Sequence, residues 1–439
     1  MHRKEVKNIL IKLQNEINCT FLKEEFSMKK KDFTRKRKLT FSSTILFLIN
    51  FLTRSLSLEI ENFIKYIGQY KSEQQEFSKS AFVQARKKIK PEVFIHLNRV
   101  LIADFYTDNS AVKTLLEGDF RILSMDGSRI TLPNTQALEQ EYGRTTNNSE
   151  VYIVQAKACV LYDVLNKICL EGILSPVDIG ERAQAMQLLQ YCKQGDLLLY
   201  DRGYPSFELI HEHIRLELDY LMRVKVDFSN VVKEFVASDK KDIITEISPA
   251  QHSSHKGKSF TKDSVLKVRL IKVILSTGQI EVLMTSLLDL QKYNSNIFKE
   301  LYFKRWGIET YYDELKNKLR VEDFSGYSNQ SILQDFYSTI LVSNIQSLII
   351  VEINNDSIRN STTKYQYKIN TALSYGFLKD RILGLLFSQR DIDEILIEVK
   401  KLFKKNLVPI RPDRSNHRNI KKYKGRVKPK VTKNQKDTI

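Results

Sequence analysis

Phe120-Arg121-Ile122-Leu123-Ser124-Met125-Asp126-Gly127-Ser128-Arg129-Ile130-Thr131-Leu132 is the stretch where the chain changes period. Phe120, Ile122, Ser124 and Asp126 fall on one side of an extended strand, and Arg121, Leu123 and Met125 on the other. An acid stands near the end of the strand, with Gly-Ser behind it. Downstream the pattern continues as strands over 151–161 and 167–174, joined by a turn at 163–166. A short helix over 183–191 follows. Next comes a compact apolar strand over 196–200, which runs into Asp201-Arg202-Gly203-Tyr204. A helix over 207–216 and a strand over 220–224 complete the series.

A three-strand meander followed by helix, strand, helix, strand predicts an α/β fold. By analogy of element order, it is the order expected of a ribonuclease-H-like mixed sheet. Residues 226–289 break the alternation. Strands over 231–236, 243–247, 265–275 and 279–287, with a hairpin turn at Thr277-Gly278, read as a β-rich insertion. A long helix is expected over 295–319, with further helices over 332–351 and 380–403.

Upstream of the strand region the chain reads as helical. Leu46, Leu48, Phe51, Leu52, Leu56, Leu58, Ile60, Phe63 and Ile64 form a dense apolar pattern closer to helix than strand. Ser78 and Ser80 are candidate N-caps for a segment over 81–89 that carries Arg86, Lys87 and Lys88 and stops before Pro91. Such a basic helix suits a DNA groove, and equally an ordinary solvated face. The organisation expected is a helical N-terminal DNA-binding domain (1–112), a catalytic domain (118–225 with 290–330), the insertion (226–289), C-terminal helices (331–410) and a basic tail (411–439).

Charge follows this division. The net charge is +18 over 439 residues. Residues 1–40 hold 12 Lys/Arg against 5 Asp/Glu, and residues 411–439 hold 11 against 2, so the two ends carry nearly all of it. Basic ends suit a polyanion such as nucleic acid, or serve only as solvated tails. The four cysteines (Cys19, Cys159, Cys169, Cys192) form no Cys-x-x-Cys pair and have no histidine at zinc-finger spacing, which argues against a structural zinc or a disulfide framework. A reducing, cytoplasmic location is expected. No apolar stretch near the N-terminus suits a signal peptide, and the run at 45–51 is too short to span a bilayer.

On the long helix, Tyr302, Arg305, Glu309 and Lys316 fall within an arc of roughly 60°. Leu301, Ile308, Tyr312, Leu315 and Leu319 form a stripe beside it. One stripe can pack on the sheet while the other presents a hydroxyl, a guanidinium, a carboxylate and an ammonium at its edge; such a row is also common on a solvated face. Asp126 and Asp201 each follow an apolar strand and precede a glycine, which lets backbone or ligand approach; either aspartate alone also suits a turn. Three carboxylates from two strands and a helix can bind two divalent cations, and hard oxygen ligands favour Mg²⁺, with Mn²⁺ as substitute. Two such ions about 4 Å apart stabilise the attacking and leaving oxygens at a phosphodiester. His211 and His213, like His252 and His255, read as surface residues.

These residues resemble those of the DDE transposases of bacterial insertion sequences, in the insertion-sequence-four group. Leu123-Ser124-Met125-Asp126-Gly127-Ser128 looks like that family's first Asp block and Leu198-Leu199-Tyr200-Asp201-Arg202-Gly203-Tyr204 like the second. Tyr302, Arg305, Glu309 and Lys316 match its Tyr-Arg-Glu-Lys signature at every spacing, extended by Trp306 and Ile308. Leu221-Met222-Arg223-Val224-Lys225 looks like the strand after the second Asp. The resemblance covers 118–330 well, the C-terminal helices loosely and the N-terminal helices weakly. It implies a ribonuclease-H-like catalytic domain with a β insertion. It also implies Asp126, Asp201 and Glu309 as catalytic metal ligands, and Tyr302, Arg305 and Lys316 as contacts to DNA phosphates. Trp306 is expected to pack under its helix. The insertion has no Trp of the kind on which some relatives stack a flipped base.

The implied activity is cleavage at transposon ends and strand transfer of the freed 3′-hydroxyl into target DNA. The partner is double-stranded DNA, bound by a homodimer, with no membrane. Three alternatives remain: a catalytically inactive transposase-derived DNA-binding protein, a metal nuclease of the same fold without strand transfer, and a carboxylate-pair hydrolase such as a glycosidase. The last explains neither the basic ends nor the Arg and Lys flanking Glu309.

Overall fold

The protein is described here from a computed structural model, over residues 6–35, 37–50, 52, 54–68, 76–107, 112–146, 152–250, 258–275, 278–357, 365–387 and 391–411. Nine strands form one mixed sheet: β1 (Arg121–Thr131), β2 (Arg144–Thr146), β3 (Tyr152–Asp163), β4 (Ile168–Ser175), β5 (Asp196–Tyr200), β6 (Asp219–Val224), β7 (Asp242–Ile247), β8 (Leu266–Ile274) and β9 (Ile280–Thr285). Their order across the sheet is β2-β3-β1-β5-β6-β9-β8-β7, with β4 also paired to β3. β1, β5 and β6 run parallel and every other pairing is antiparallel.

Alternation along β1 does what its sequence predicts. Leu123 and Met125 enter the larger core, while Phe120 and Ile122 join Leu197, Leu199 and Leu221 in a second core on the opposite face. The helices in chain order are α1 (Val6–Ile17), α2 (Thr20–Phe26), α3 (Phe41–Ile49), α4 (Leu56–Gly68), α5 (Lys79–Arg86), α6 (Glu92–Tyr106), α7 (Gln136–Tyr142), α8 (Glu181–Leu188), α9 (Phe207–Arg215), α10 (Asn230–Ala237), α11 (Ile297–Phe303), α12 (Trp306–Asp313), α13 (Asn329–Ser357), α14 (Thr371–Lys379), α15 (Ile382–Phe387) and α16 (Ile392–Lys405). α8 lies in the connection from β4 to β5, and α9 in that from β5 to β6. A small antiparallel pair at Gln366–Ile369 and Leu407–Ile410, with no counterpart in the expected elements, lies in the C-terminal region.

α13 lies in the core. Its residues Ile332, Phe336, Ile340, Ile345 and Leu348 are buried, and Asn344 bonds the backbone of Cys169 on β4. Over Asn329–Ile353 it is long and apolar enough to cross a membrane, but 89% of its apolar window is buried inside the fold. β4 meets it at Gly172, where a β-carbon would fall 2.7 Å from Ile340 Cδ1, so any larger residue would push that side chain aside.

Several expectations need correction. The strand expected over 231–236 is the helix α10. Ser229 caps it by accepting from the Val232 N–H, and Val232 and Phe235, three positions apart, are buried together. The remaining strands of the insertion do not form a layer of their own. β9 pairs with β6 (Leu221 opposite Thr285), so β7–β9 extend the central sheet. The helix expected over 295–319 is broken at Lys304 and Arg305, whose N–H groups reach back only three residues, to Leu301 and Tyr302. The two cores explain the break: α11 gives Phe298, Leu301 and Tyr302 to the smaller core, and α12 gives Ile308, Tyr311 and Tyr312 to the larger. The last turns, Glu314–Lys318, widen into a π-helix. The helix expected over 380–403 is two helices, α15 and α16.

Ser78, not Ser80, caps α5. Arg86, read as part of a groove-binding or solvated basic face, is buried. It donates to Gln334, Ser325, Asp335 and the Ser331 carbonyl, fastening α5 to the start of α13. His213 is also buried and bonded to the Tyr200 hydroxyl at 2.9 Å, and burial pushes its pKa down to about 3. His252, His255, Thr277, and residues 412–439 of the expected tail lie outside the described residues.

Candidate active site

β1 and β5 are parallel neighbours with Ser124 opposite Leu199. Two residues further along each strand stand Asp126 and Asp201, side by side at the same end of the sheet. Asp126 is still within β1, half-buried, with its Oδ1 accepting the Gly127 N–H at 2.9 Å. Burial pushes its pKa up to about 6, against the pull of the Gly127 N–H and of Arg305; the charges of Glu181 and Glu309 add to the rise. Asp201 begins the loop after β5. Burial pushes it up too, but the Arg202 N–H, Arg223 and Arg305 outweigh that and hold it below the usual value. Arg223 on β6 donates to Asp201 Oδ1 at 2.7 Å and to Glu281 on β9 at 2.5 Å.

The third carboxylate comes from α12. Glu309 accepts from Arg305 at 2.8 Å, and its side chain is 38% exposed. The Tyr312 hydroxyl, one turn on, donates to the carbonyls of Asp126 (2.9 Å) and Ala158 (3.2 Å). Those two bonds register α12 against β1 and β3 and hold Glu309 at the aspartates. The π-helical turn carries Lys316 back to β1, where its ammonium donates to Ser128 Oγ (2.7 Å) and the Arg129 carbonyl (2.6 Å). The stripe expected to pack is buried throughout: Leu301, Ile308, Tyr312, Leu315 and Leu319.

Tyr302 and Arg305 are buried beside that stripe rather than displayed at its edge. The Tyr302 hydroxyl donates to Asp201 Oδ1 over 3.4 Å. Arg305, 4% exposed, is bonded to Glu309 and within electrostatic reach of Asp126 and Asp201. One guanidinium thus bonds one of the three carboxylates and lies within electrostatic reach of the other two. Trp306, expected under the helix, is instead 49% exposed, with Arg305 stacked 4.9 Å from its ring centre, and Phe303 beside it is 70% exposed. The break before α12 turns both rings outward.

The donor set, three carboxylates from rigid elements with one of them short of cationic partners, fits a hard divalent cation. Among the described residues no three His, Cys, Asp or Glu side chains come close enough to enclose an ion as they stand. Arg305 engages Glu309 through Oε1 and Arg223 engages Asp201 through Oδ1, so a cation would compete for those oxygens or bind the second oxygen of each carboxylate.

Two further residues of the site were not anticipated. Arg223 could have been found as a lone cation in an otherwise apolar strand, which demands a carboxylate partner. Glu181, whose carboxylate stands against Gly127, gives no signal in the sequence. A separate open cavity of about 1130 Å³ lies in the N-terminal helical region, lined by Lys31, Arg35, Arg37, Lys38 and Lys88 with Asp32 and Glu76. It is basic and does not include the carboxylates.

Comparison with known proteins gives three findings. The model of the family described as "Transposase DDE domain" matches residues 117–345. No curated protein matches the chain. The cryo-EM structure of the piggyBac transposase synaptic complex with hairpin DNA is similar over 93% of this chain and 88% of its own, at 11% identity and a TM-score of 0.42.

Proposed function

Because the chain belongs to the transposase DDE domain family, we propose that it cleaves DNA at transposon ends and transfers the freed 3′-hydroxyl to target DNA. In this reading Asp126, Asp201 and Glu309 hold two divalent cations, Mg²⁺ or Mn²⁺, on a ribonuclease-H-like sheet. The observation that carries it is the placement of Asp126 and Asp201 side by side at the same end of the parallel pair β1 and β5, with Glu309 of α12 bonded to Arg305, whose charge reaches both aspartates.

When bound, the cations supply charge at the attacking and leaving oxygens of the phosphodiester. The chain supplies position. The sheet fixes the two aspartates, and Tyr312 fixes the helix that bears Glu309. Arg223 orients Asp201 through Oδ1. Arg305 balances the carboxylates while no cation is present, and becomes available to a DNA phosphate once Glu309 is engaged elsewhere. Tyr302, bonded to Asp201, and Lys316, bonded to Ser128 and the Arg129 carbonyl, stand on either side of Glu309 in the chain and would reach DNA phosphates on leaving those partners. The basic ends add phosphate contacts, and joining two ends calls for a homodimer on DNA.

The test mixes purified protein with a labelled duplex carrying the DNA that flanks its own gene, with and without Mg²⁺. Mg²⁺-dependent nicking at the element boundary followed by a joined product is the expected result. Binding with no cleavage in either Mg²⁺ or Mn²⁺ would overturn it in favour of a DNA-binding protein that has lost catalysis.

A further inference from the structure

The two aspartates are each followed closely by a glycine, and both glycines face one carboxylate. A β-carbon on Gly127 would fall 3.1 Å from Glu181 Cγ and 3.2 Å from its Oε1; one on Gly203 would fall 3.7 Å from Oε2. The space those glycines leave open is thus occupied by the Glu181 side chain, at the first position of α8. Its neighbour Arg182 donates from Nε to the Gly203 carbonyl at 3.0 Å, tying the start of α8 to the loop that carries Asp201. We propose that Glu181 is a fourth carboxylate of the cation site, placed against Asp126 and Asp201. This rests on the reading that Asp126, Asp201 and Glu309 bind divalent cations.

Charge and an orphaned hydroxyl both point to a ligand there. Asp201 and Glu309 each have an arginine, whereas Glu181 has no ion pair among the described residues. Arg305 serves Glu309, and Arg223 is shared between Asp201 and Glu281, so the site is already net acidic; Glu181 adds a further charge with no ion pair among the described residues. Tyr204, on the loop that follows Asp201, is 1% exposed and within electrostatic reach of both Asp126 and Glu181. Among the described residues its hydroxyl finds no hydrogen-bond partner of normal geometry, only the weakly polar Cys159 thiol nearby. A buried hydroxyl without a partner is uncommon, and beside two carboxylates it offers an oxygen to an ion's water. Hard divalent cations take six or more oxygen ligands, many of them waters held by carboxylates one step out. Glu181 can serve in either capacity.

A glutamate in the first turn of a helix is also favoured by the helix dipole alone, so the experiment must separate the two roles. Mn²⁺ binding to the full-length, DNA-free protein is measured by calorimetry for wild type, Glu181→Gln, Glu181→Asp and Asp126→Asn. Removal of a residue supporting a metal site costs roughly 10- to 100-fold in affinity, and that loss is expected for Glu181→Gln, with Glu181→Asp recovering part of it. Wild-type affinity in Glu181→Gln, alongside lost binding in Asp126→Asn, would overturn the proposal and leave Glu181 as a helix-start residue. If the wild type itself binds no Mn²⁺, the cation reading of the whole site falls, and this proposal with it.

Discussion

At the residue scale, the charge on Asp126 opposes folding. Its pKa is about 6 in the fold, against 3.8 for the free side chain. A carboxyl whose pKa is raised by folding opposes folding only when ionised. The penalty is absent below about pH 4, where the group is protonated folded or unfolded, and complete above about pH 6. Asp126→Asn should therefore stabilise the metal-free protein by about 2–3 kcal/mol at pH 7–8, with the gain fading toward pH 4. Urea melts in EDTA at the two pH values check this; a gain that does not depend on pH would mean that the carboxylate is not the source. Glu309→Gln should abolish cleavage while leaving specific binding to the element end largely intact, measured by gel shift and nicking on one labelled duplex. Loss of both together would make Glu309 structural.

These three acids were legible because each follows or lies on an element whose period is plain: Asp126 lies within β1, Asp201 directly follows the apolar β5, and Glu309 sits in a spaced row with Tyr302, Arg305 and Lys316. What that row does in the metal-free fold was not legible. The helical wheel places Tyr302 and Arg305 at an edge, but the break at Lys304 re-aims α11, and both side chains sink against the carboxylates. Glu181 is beyond any sequence argument, because its place depends on two glycines 54 and 22 positions away from it.

At the scale of elements, the site depends on how α12 is seated on β1. The Tyr312 hydroxyl bonds the Asp126 carbonyl on β1 and the Ala158 carbonyl on the neighbouring β3. Tyr312→Phe leaves no cavity and should cost about 1 kcal/mol, but should lower the rate of cleavage by considerably more than that loss explains, because Glu309 is no longer registered to Asp126. Single-turnover nicking beside a denaturation curve makes the comparison; an unchanged rate would show that apolar packing alone seats the helix. Strand positions were read well because apolar alternation and the Asp163 turn are local signals. α10 was misread because Val231, Val232, Phe235 and Val236 carry β-branched and aromatic preference, and the Ser229 cap with the 3-residue spacing of Val232 and Phe235 prevails over it.

At the scale of the molecule, α5 is joined to the core helix α13 through Arg86. Its guanidinium has four partners from residues 325–335, and its side chain is 4% exposed. Arg86→Ala leaves Asp335 without its cation and should cost about 3–5 kcal/mol, read from urea denaturation; a loss below about 1 kcal/mol would mean the pair is redundant. The basic tail makes a different demand. Removing residues 411–439, with 11 Lys/Arg against 2 acids, should weaken DNA binding and flatten its dependence on salt, since each phosphate contact releases counterions. An unchanged salt slope would exclude the tail as a DNA contact.

The three carboxylates come from segments far apart in the chain, and this sets a schedule for synthesis. Glu309 lies 183 positions after Asp126, so at about 5–20 residues per second a ribosome needs roughly 10–40 s to pass from one to the other. During that interval β1 and β5 can emerge with their two aspartates, while α12, with Glu309 and its balancing Arg305, is still unmade. A nascent chain therefore displays the floor of the site long before the wall that completes it. Under the proposed reading, the capacity to cut DNA arrives late, all at once, in a chain whose N-terminal helices have already been released from the ribosome.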